Sequence, residues 1–180
     1  MRVTRLNWLA AVAGALVVSC GEGRAIFNVD VLSYRPQLAD TLPYTVPGGL
    51  GDSLQDAFRL QLPGGLGNST VDSVSLSYGS TLLNTAGSGQ FILQIFFSSD
   101  SSSVFTSPVR FADTAVVAGP DTQQLGPITV PLFADSLFSK EALFVGVRGS
   151  VLANAGPAMT GEVVTVSVLR LRIVLQDKIF

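Results

Sequence analysis

The chemistry open to this chain is narrow, because two of the residue types most used in active sites are scarce. The sequence contains no histidine and a single cysteine, Cys20. Without imidazole, there is no serine–histidine or cysteine–histidine pair and no general base that titrates near neutral pH. Zinc sites built from thiolate or imidazole are excluded for the same reason. Carboxylates are therefore the main groups left for acid–base chemistry or for holding a cation.

The acidic residues do not form an obvious catalytic pair. Carboxylates that act together in glycoside hydrolysis must face each other at a defined separation. Most acids fall in predicted loops, and only Asp30, Asp72 and Glu162 lie within or at the edge of the longer predicted strands. The tract 98–103 (SSDSSS) is rich in oxygen ligands but lacks the spacing of a dedicated calcium loop, so we interpret it as a solvated hairpin tip. We predict a non-enzymatic protein without cofactor or metal.

Two arginines near the end of the chain are the clearest candidates for binding. Arg170 and Arg172 are two residues apart in the last predicted strand, so both side chains point to the same face. Guanidinium groups bind carboxylate or phosphate through paired hydrogen bonds. A solvated face and protection of an edge strand against aggregation are the alternative interpretations. Both arginines are therefore candidate contacts to a ligand or a partner.

The start of the sequence has the layout of an export signal. Arg2 and Arg5 form a short positive region, and the apolar stretch 6–18 that follows is shorter than the roughly 20 residues of a membrane-spanning helix. A charged start, a short apolar stretch and small residues at its end are typical of a secretory signal. The residues that close the signal are Val17, Val18, Ser19 and Cys20.

These four residues resemble the lipobox of bacterial lipoproteins, in which a small residue precedes an invariant cysteine. The resemblance implies cleavage before Cys20, a diacylglycerol on its sulfur and an acyl chain on its new amino group. Each buried CH₂ adds about 0.8 kcal/mol to membrane binding, so several chains form a durable anchor. In bacteria with two membranes, an aspartate after the cysteine commonly retains the protein at the inner membrane. Gly21 at this position therefore implies the outer membrane.

Length and composition predict one domain behind this anchor. We divide the chain into a signal peptide (1–19), a lipidated cysteine with a short tether (20–24) and a single domain (25–180). The net charge of −2 and the absence of a basic cluster argue against nucleic acid as a partner. With no second cysteine, an intrachain disulfide is excluded and stability must come from an apolar core. A tether of five residues reaches at most about 17–18 Å, which keeps the domain against the membrane.

Alternation of apolar and polar residues, the pattern of half-buried strands, dominates the rest of the chain. It predicts strands at 25–34, 57–62, 71–78, 90–97, 127–132, 143–151 and 162–175. Segment 90–97 (QFILQIFF) is apolar on both faces, which predicts a central strand. The apolar parity of the last strand changes after Val168, which predicts a β-bulge or bend near Val168 and Leu169. One helical turn, capped by Asp135, is predicted at 135–141.

A short sequence repeat flanks one of these strands. The heptapeptide PGGLGDS at 47–53 recurs as PGGLGNS at 63–69. It predicts two type II turns in which proline sets φ and the glycine after it takes a positive φ. Neither copy contains the lysine that a phosphate-binding loop requires, so phosphate binding is disfavoured.

Together these patterns predict an all-β protein, an antiparallel β-sandwich of the jelly-roll or immunoglobulin type with about seven to nine strands and little helix. A short tether and little catalytic chemistry favour a membrane-anchored lipoprotein that binds another cell-envelope component in a structural or assembly role. The alternative is a small-molecule module for a lipid or a glycan. With Tyr34, Tyr44 and Tyr78 as its only tyrosines and no tryptophan after Trp8, the domain has few aromatic platforms for glycan stacking.

Overall fold

A computed structural model describes residues 23–34, 41–62 and 69–176, which form two antiparallel sheets packed face to face. The nine strands are β1 (Arg24–Asp30), β2 (Thr41–Val46), β3 (Gly51–Gln61), β4 (Thr70–Ala86), β5 (Gly89–Ser98), β6 (Val109–Val117), β7 (Asp121–Leu132), β8 (Ala142–Ala153) and β9 (Met159–Gln176). Short 3-10 turns occur at Val31–Tyr34, Val104–Thr106 and Ser136–Ser139. The predicted all-β sandwich with little helix is confirmed.

The strand order identifies the type of sandwich. In the first sheet β9 pairs with β4, and β4 pairs with β7, while β1 and β2 share the other side of β9. The second sheet has the order β3-β8-β5-β6. Without β1, the two sheets β2-β9-β4-β7 and β3-β8-β5-β6 have the strand order of an eight-stranded jelly roll. Of the two predicted types, the topology therefore supports the jelly roll.

The core follows the predicted alternation. Side chains expected to point inward are buried between the sheets: Phe58, Leu60, Leu62, Val74, Leu76 and Tyr78. Their neighbours Arg59 and Gln61 are exposed. Strand β5 lies between β8 and β6, and its last four side chains are all buried, which confirms the central position predicted for 90–97.

The change of parity in the last strand corresponds to an irregularity in pairing. Gly79 of β4 pairs with Val168 of β9, whereas Thr81, two residues later, pairs with Val164. Strand β9 therefore carries extra residues just before Val168, next to the predicted bulge. Beyond it, the side chains of Leu169, Leu171, Ile173 and Leu175 are buried.

The first predicted strand is wrong at its end, and two strands are missing from the prediction. β1 ends at Asp30, because the Leu32 amide donates to Asp30 Oδ1 (3.2 Å) and Ser33 Oγ donates to the Asp30 carbonyl (2.7 Å), which closes a 3-10 turn. The missed strand β2 carries Pro43, which cannot donate to a ladder and is tolerated at a sheet edge. The other missed strand, β6, is also an edge strand.

The predicted capped turn forms, because the Leu137 amide donates to Asp135 Oδ1 (3.0 Å). The first PGG copy also forms a turn, closed by the Leu50 amide, which donates to the Pro47 carbonyl (3.1 Å). The prediction that the glycine after proline takes the positive φ is wrong by one residue, because the φ of 77° belongs to Gly49. The first glycine, Gly48, instead packs so tightly that a Cβ would lie 2.0 Å from a neighbouring carbonyl oxygen. Most of the second copy, 63–68, lies outside the described residues.

Candidate functional site

The two candidate arginines lie side by side at the centre of one outer sheet face. Arg170 and Arg172 are both exposed, because the alternate residues of β9 are buried in the core. Strand β9 is flanked on both sides, by β1 and by β4. The interpretation of these arginines as protection for an edge strand is therefore wrong, since their strand is internal.

Neighbouring strands supply small polar side chains on each side. Across β1, Asp30 pairs with Arg170 and Asn28 pairs with Arg172. Across β4, Ser77 pairs with Arg170 and Ser75 pairs with Arg172. Short hydroxyl side chains beside long arginines leave an open trough, which we call the arginine groove. Its volume is about 480 Å³, and its lining consists of Asn28, Val29, Asp30, Ser75, Ser77, Thr129, Arg170, Leu171 and Arg172.

The nearest carboxylate in the groove is engaged elsewhere. Asp30 Oδ1 accepts a hydrogen bond from the Leu32 amide at 3.2 Å, as part of the turn that ends β1. Within the described parts of the chain, neither the Arg170 nor the Arg172 guanidinium forms an ion pair or a hydrogen bond. Two cationic groups therefore face solvent with their donors available.

The outer face of the second sheet carries Arg148 on the central strand β8, and there the guanidinium is covered. The Arg148 guanidinium carbon lies 5.0 Å from the ring centroid of Phe96 and 5.1 Å from that of Phe105. Phe105 belongs to the connection 99–108, which folds back over the sheet and buries Val104. Gly146 makes room for this connection, because a Cβ there would lie 3.0 Å from both Val104 and Phe105. Arg148 is therefore a packing residue.

Several of the acidic residues have structural partners. Asp135 Oδ2 accepts from Arg110 Nη2 at 2.7 Å, and the Leu137 amide together with Arg110 lowers the pKa of Asp135. Ser102 donates to Asp100 through both its hydroxyl and its amide, which lowers the pKa of Asp100. Among the described residues, no three potential metal ligands of the acidic, cysteine or histidine type lie together. Asp72 and Glu162 are exposed.

Two buried tyrosines use their hydroxyls to join strands. Tyr78 of β4 donates to Asp113 of β6 in the opposite sheet, and burial followed by this hydrogen bond raises the pKa of Tyr78. Tyr44 reaches over Gly161 to donate to Asn84 Oδ1 (2.9 Å), and burial raises the pKa of Tyr44 to about 12. Both tyrosines are enclosed in the core, so they tie the sandwich together and do not form a surface for ligands.

The sequence contained part of the signal for the arginine groove. Alternation places Asn28 and Asp30 on the outward face of β1, and the same parity places Ser75 and Ser77 outward on β4. The pairing of both strands with β9 is not readable from local sequence, because strand neighbours are set by long-range contacts. The lipobox residues Val17, Val18, Ser19 and Cys20 lie outside the described residues.

Comparison with known proteins adds little beyond the fold. No family model matches the sequence, and no curated protein matches it either. A solved structure of infectious bursal disease virus, Gx strain, is similar over 78% of this chain and 33% of that chain, with 11% identity and a TM-score of 0.31. A similarity this low carries no argument about fold or function. In the described residues, no helix has the length and hydropathy needed to span a membrane.

Proposed function

We propose that this protein is a bacterial lipoprotein, anchored through Cys20 to the outer membrane, whose β-sandwich binds another cell-envelope component without catalysing a reaction. The observation that carries this proposal is the closeness of the lipobox to the domain. Strand β1 begins at Arg24, four residues after Cys20, and four residues span at most about 14 Å. A domain held this closely would meet membrane-embedded partners more readily than distant ligands.

The proposed anchor also gives the sandwich an orientation. Arg24 and Thr70 both pair with Gln176, so β1 starts at the end of the sandwich where β4 begins and β9 ends. Strand β7 also runs toward this end of the sandwich and stops with Leu132 paired to Val74, four residues after Thr70. The next residue, Phe133, is 86% exposed, the highest value among the described large apolar side chains. An apolar side chain at this end is compatible with contact to a lipid surface.

A binding role is favoured by how the polar groups are arranged. The acidic groups Asp100, Asp113 and Asp135 are engaged in turns or in contacts between elements, as described above. An open polar feature of the described residues is the arginine groove, in which Arg170 and Arg172 are free to meet a partner. A pair of unengaged guanidiniums on a rigid internal strand supports recognition of an anionic group.

The test is intact-mass analysis and detergent-phase partitioning of the protein purified from membranes, beside a Cys20→Ser variant. We expect the wild type to carry the mass of the acyl groups and to enter the detergent phase. The variant should lack that mass and stay in the aqueous phase. An unacylated wild type that partitions into the aqueous phase would show that the anchoring proposal is wrong.

A second candidate function, small-molecule binding, is favoured by a groove beside β1. This groove has a volume of about 480 Å³ and contains the exposed side chains of Ile26 (53% exposed) and Tyr34 (42% exposed) beside Leu62. An aromatic ring next to aliphatic surface is a feature of lipid and glycan sites. Loss of binding to a lipid or glycan array in Tyr34→Ala, with retention in Tyr44→Phe, would support this second function.

A further inference from the structure

We propose that the arginine groove binds two carboxylates of one extended acidic peptide segment, with acidic residues at positions i and i+2 of that segment. This inference rests on the proposed partner-binding role, and it does not depend on acylation of Cys20. One carboxylate would bind at Arg172, beside Asn28 and Ser75, and the other at Arg170, beside Ser77. The partner is therefore a protein with an acidic strand or tail.

Spacing is the first argument for a peptide with alternating acids. Residues two apart in a strand are separated by about 6.6–6.8 Å, and this applies to Arg170 and Arg172. An extended peptide has the same rise per residue, so side chains at i and i+2 on one of its faces have the same separation. Each planar guanidinium can donate two parallel hydrogen bonds to one carboxylate. The guanidiniums of β9 and the carboxylates of the bound peptide thus have the same spacing, so each arginine meets one acid.

The surroundings of the arginines are the second argument. Exposed Asn28 and half-buried Ser75 flank Arg172 and can donate to the lone pairs that a bound carboxylate has left over. Ser77 shares a hydrogen bond of 2.7 Å with Thr129, so that side of the groove is already fixed in shape. A groove with a fixed lining loses less conformational entropy when a ligand binds.

Charge disfavours a polyanion as the ligand of the groove. The Asp30 carboxylate lies on the residue paired with Arg170, which reduces the positive potential at that end of the groove. The net charge of −2 for the whole chain also disfavours a polyanion such as a nucleic acid.

The experiment is a binding titration of the full-length protein in detergent micelles, followed by fluorescence anisotropy of a labelled peptide, GGESEGG. The variants are Arg170→Gln, Arg172→Gln and the double variant. The matched control is Arg59→Gln, which removes an exposed arginine from the second sheet. We expect each groove substitution to weaken binding about fivefold and the double substitution to abolish it, with the control unchanged. Binding should weaken with added salt, because exposed charges are screened.

Peptide variants test the spacing directly. GGQSQGG should not bind, and GGEESGG, whose acids are adjacent and point to opposite sides, should bind about as weakly as a peptide with one acid. Equal binding of all acidic peptides, or unchanged binding by the double variant, would overturn the proposal. Stronger competition by inorganic phosphate than by unlabelled GGESEGG would assign the groove to phosphate instead. Because none of these results depends on the acyl mass, failure here and failure of the anchor are distinguishable.

Discussion

Two central strands of the sandwich carry outward arginines in opposite settings. On β8 of the second sheet, Arg148 packs against the rings of Phe96 and Phe105 and is covered by the connection 99–108. On the first sheet, Arg170 and Arg172 stand on an equally central strand, and within the described chain no ion pair or hydrogen bond engages them. An outward arginine thus contributes to packing where a connection crosses it, as at Arg148. Where none of the described connections crosses it, as at Arg170 and Arg172, its donors are open to a partner.

The difference has a physical basis in desolvation. A guanidinium that packs against aromatic rings is stabilised by cation–π attraction of about 0.5–2 kcal/mol, which grows as water is excluded. An exposed guanidinium keeps its hydration, so it contributes little to folding and retains its donors for a partner. Mutation of Arg148 should therefore change stability, and mutation of Arg170 or Arg172 should change binding.

The largest effect is expected for the aromatic cover of the second sheet. Phe96 is 1% exposed and meets Phe105 edge to face with ring centroids 5.6 Å apart. We expect Phe96→Ala to lower the free energy of unfolding by about 3 kcal/mol, because it leaves a cavity and removes the ring contacts. Urea unfolding measures this, with Ser75→Ala on the opposite face as the control. A loss below about 1 kcal/mol would mean that the cover is loosely packed.

The same substitution at Arg148 and at Arg170 compares the two settings directly. Replacing Arg148 with Met keeps an apolar side chain of similar length but removes the charge that packs against the two rings. We expect a loss of about 1 kcal/mol for Arg148→Met and a change within about 0.5 kcal/mol for Arg170→Met. Thermal and urea unfolding of both variants give the comparison. Equal losses would break the distinction between a structural and an available arginine.

A smaller effect is expected from the carboxylate beside the groove. Asp30→Asn keeps a side-chain oxygen that can accept from the Leu32 amide, but it removes a negative charge opposite Arg170. We expect GGESEGG to bind about twofold to threefold more tightly, because repulsion at that end of the groove is relieved. The control is Asp52→Asn, an exposed acid at the start of β3 in the other sheet. Weaker binding by the variant would place the peptide elsewhere.

The smallest effect concerns another arginine, Arg110, which has a carboxylate partner of its own in Asp135. Hydrogen bonds from the Leu137 amide and from Arg110 lower the pKa of Asp135. A lowered folded-state pKa adds stability above the unfolded value of about 3.9, and this stability is lost as the pH falls through the folded value. Asp135→Asn should therefore flatten the acid end of the stability profile. An unchanged profile would show that the ion pair is not formed in solution.

The sequence predicted the structure correctly where burial depends on the alternation of residues along one strand. Alternation predicted the inward faces of β3 and β4, and the shift in β9 predicted its bulge, because each depends only on which neighbours along the strand are apolar. The cap at Asp135 was readable for the same reason, since the partner amide is two residues away. The same parity placed Arg170 and Arg172 on one face.

Strand pairing and the path of the connections could not be predicted from the alternation of apolar and polar residues. Neither the pairing of β1 and β4 with β9 nor the folding of 99–108 over Arg148 leaves a local signature, because both are set by contacts distant in sequence. For β1, apolar alternation continued to Val31, which is fully buried although it lies in a 3-10 turn. Alternation therefore reported burial correctly and strand extent incorrectly. Whether β9 is an internal strand or an edge strand likewise depends only on which strands pair with it.

The most direct test of the contrast between the two settings is an NMR titration of the arginine Nε–Hε resonances in the full-length protein, with GGESEGG as the probe. Both signals of the arginine groove, from Arg170 and Arg172, are expected to shift with the same apparent affinity. The signals of Arg148 and Arg110 should stay in place, since Arg148 packs against the rings of Phe96 and Phe105 and Arg110 is paired with Asp135. Shifts of Arg148 equal to those of the groove, or no shift at Arg170 and Arg172, would contradict the account.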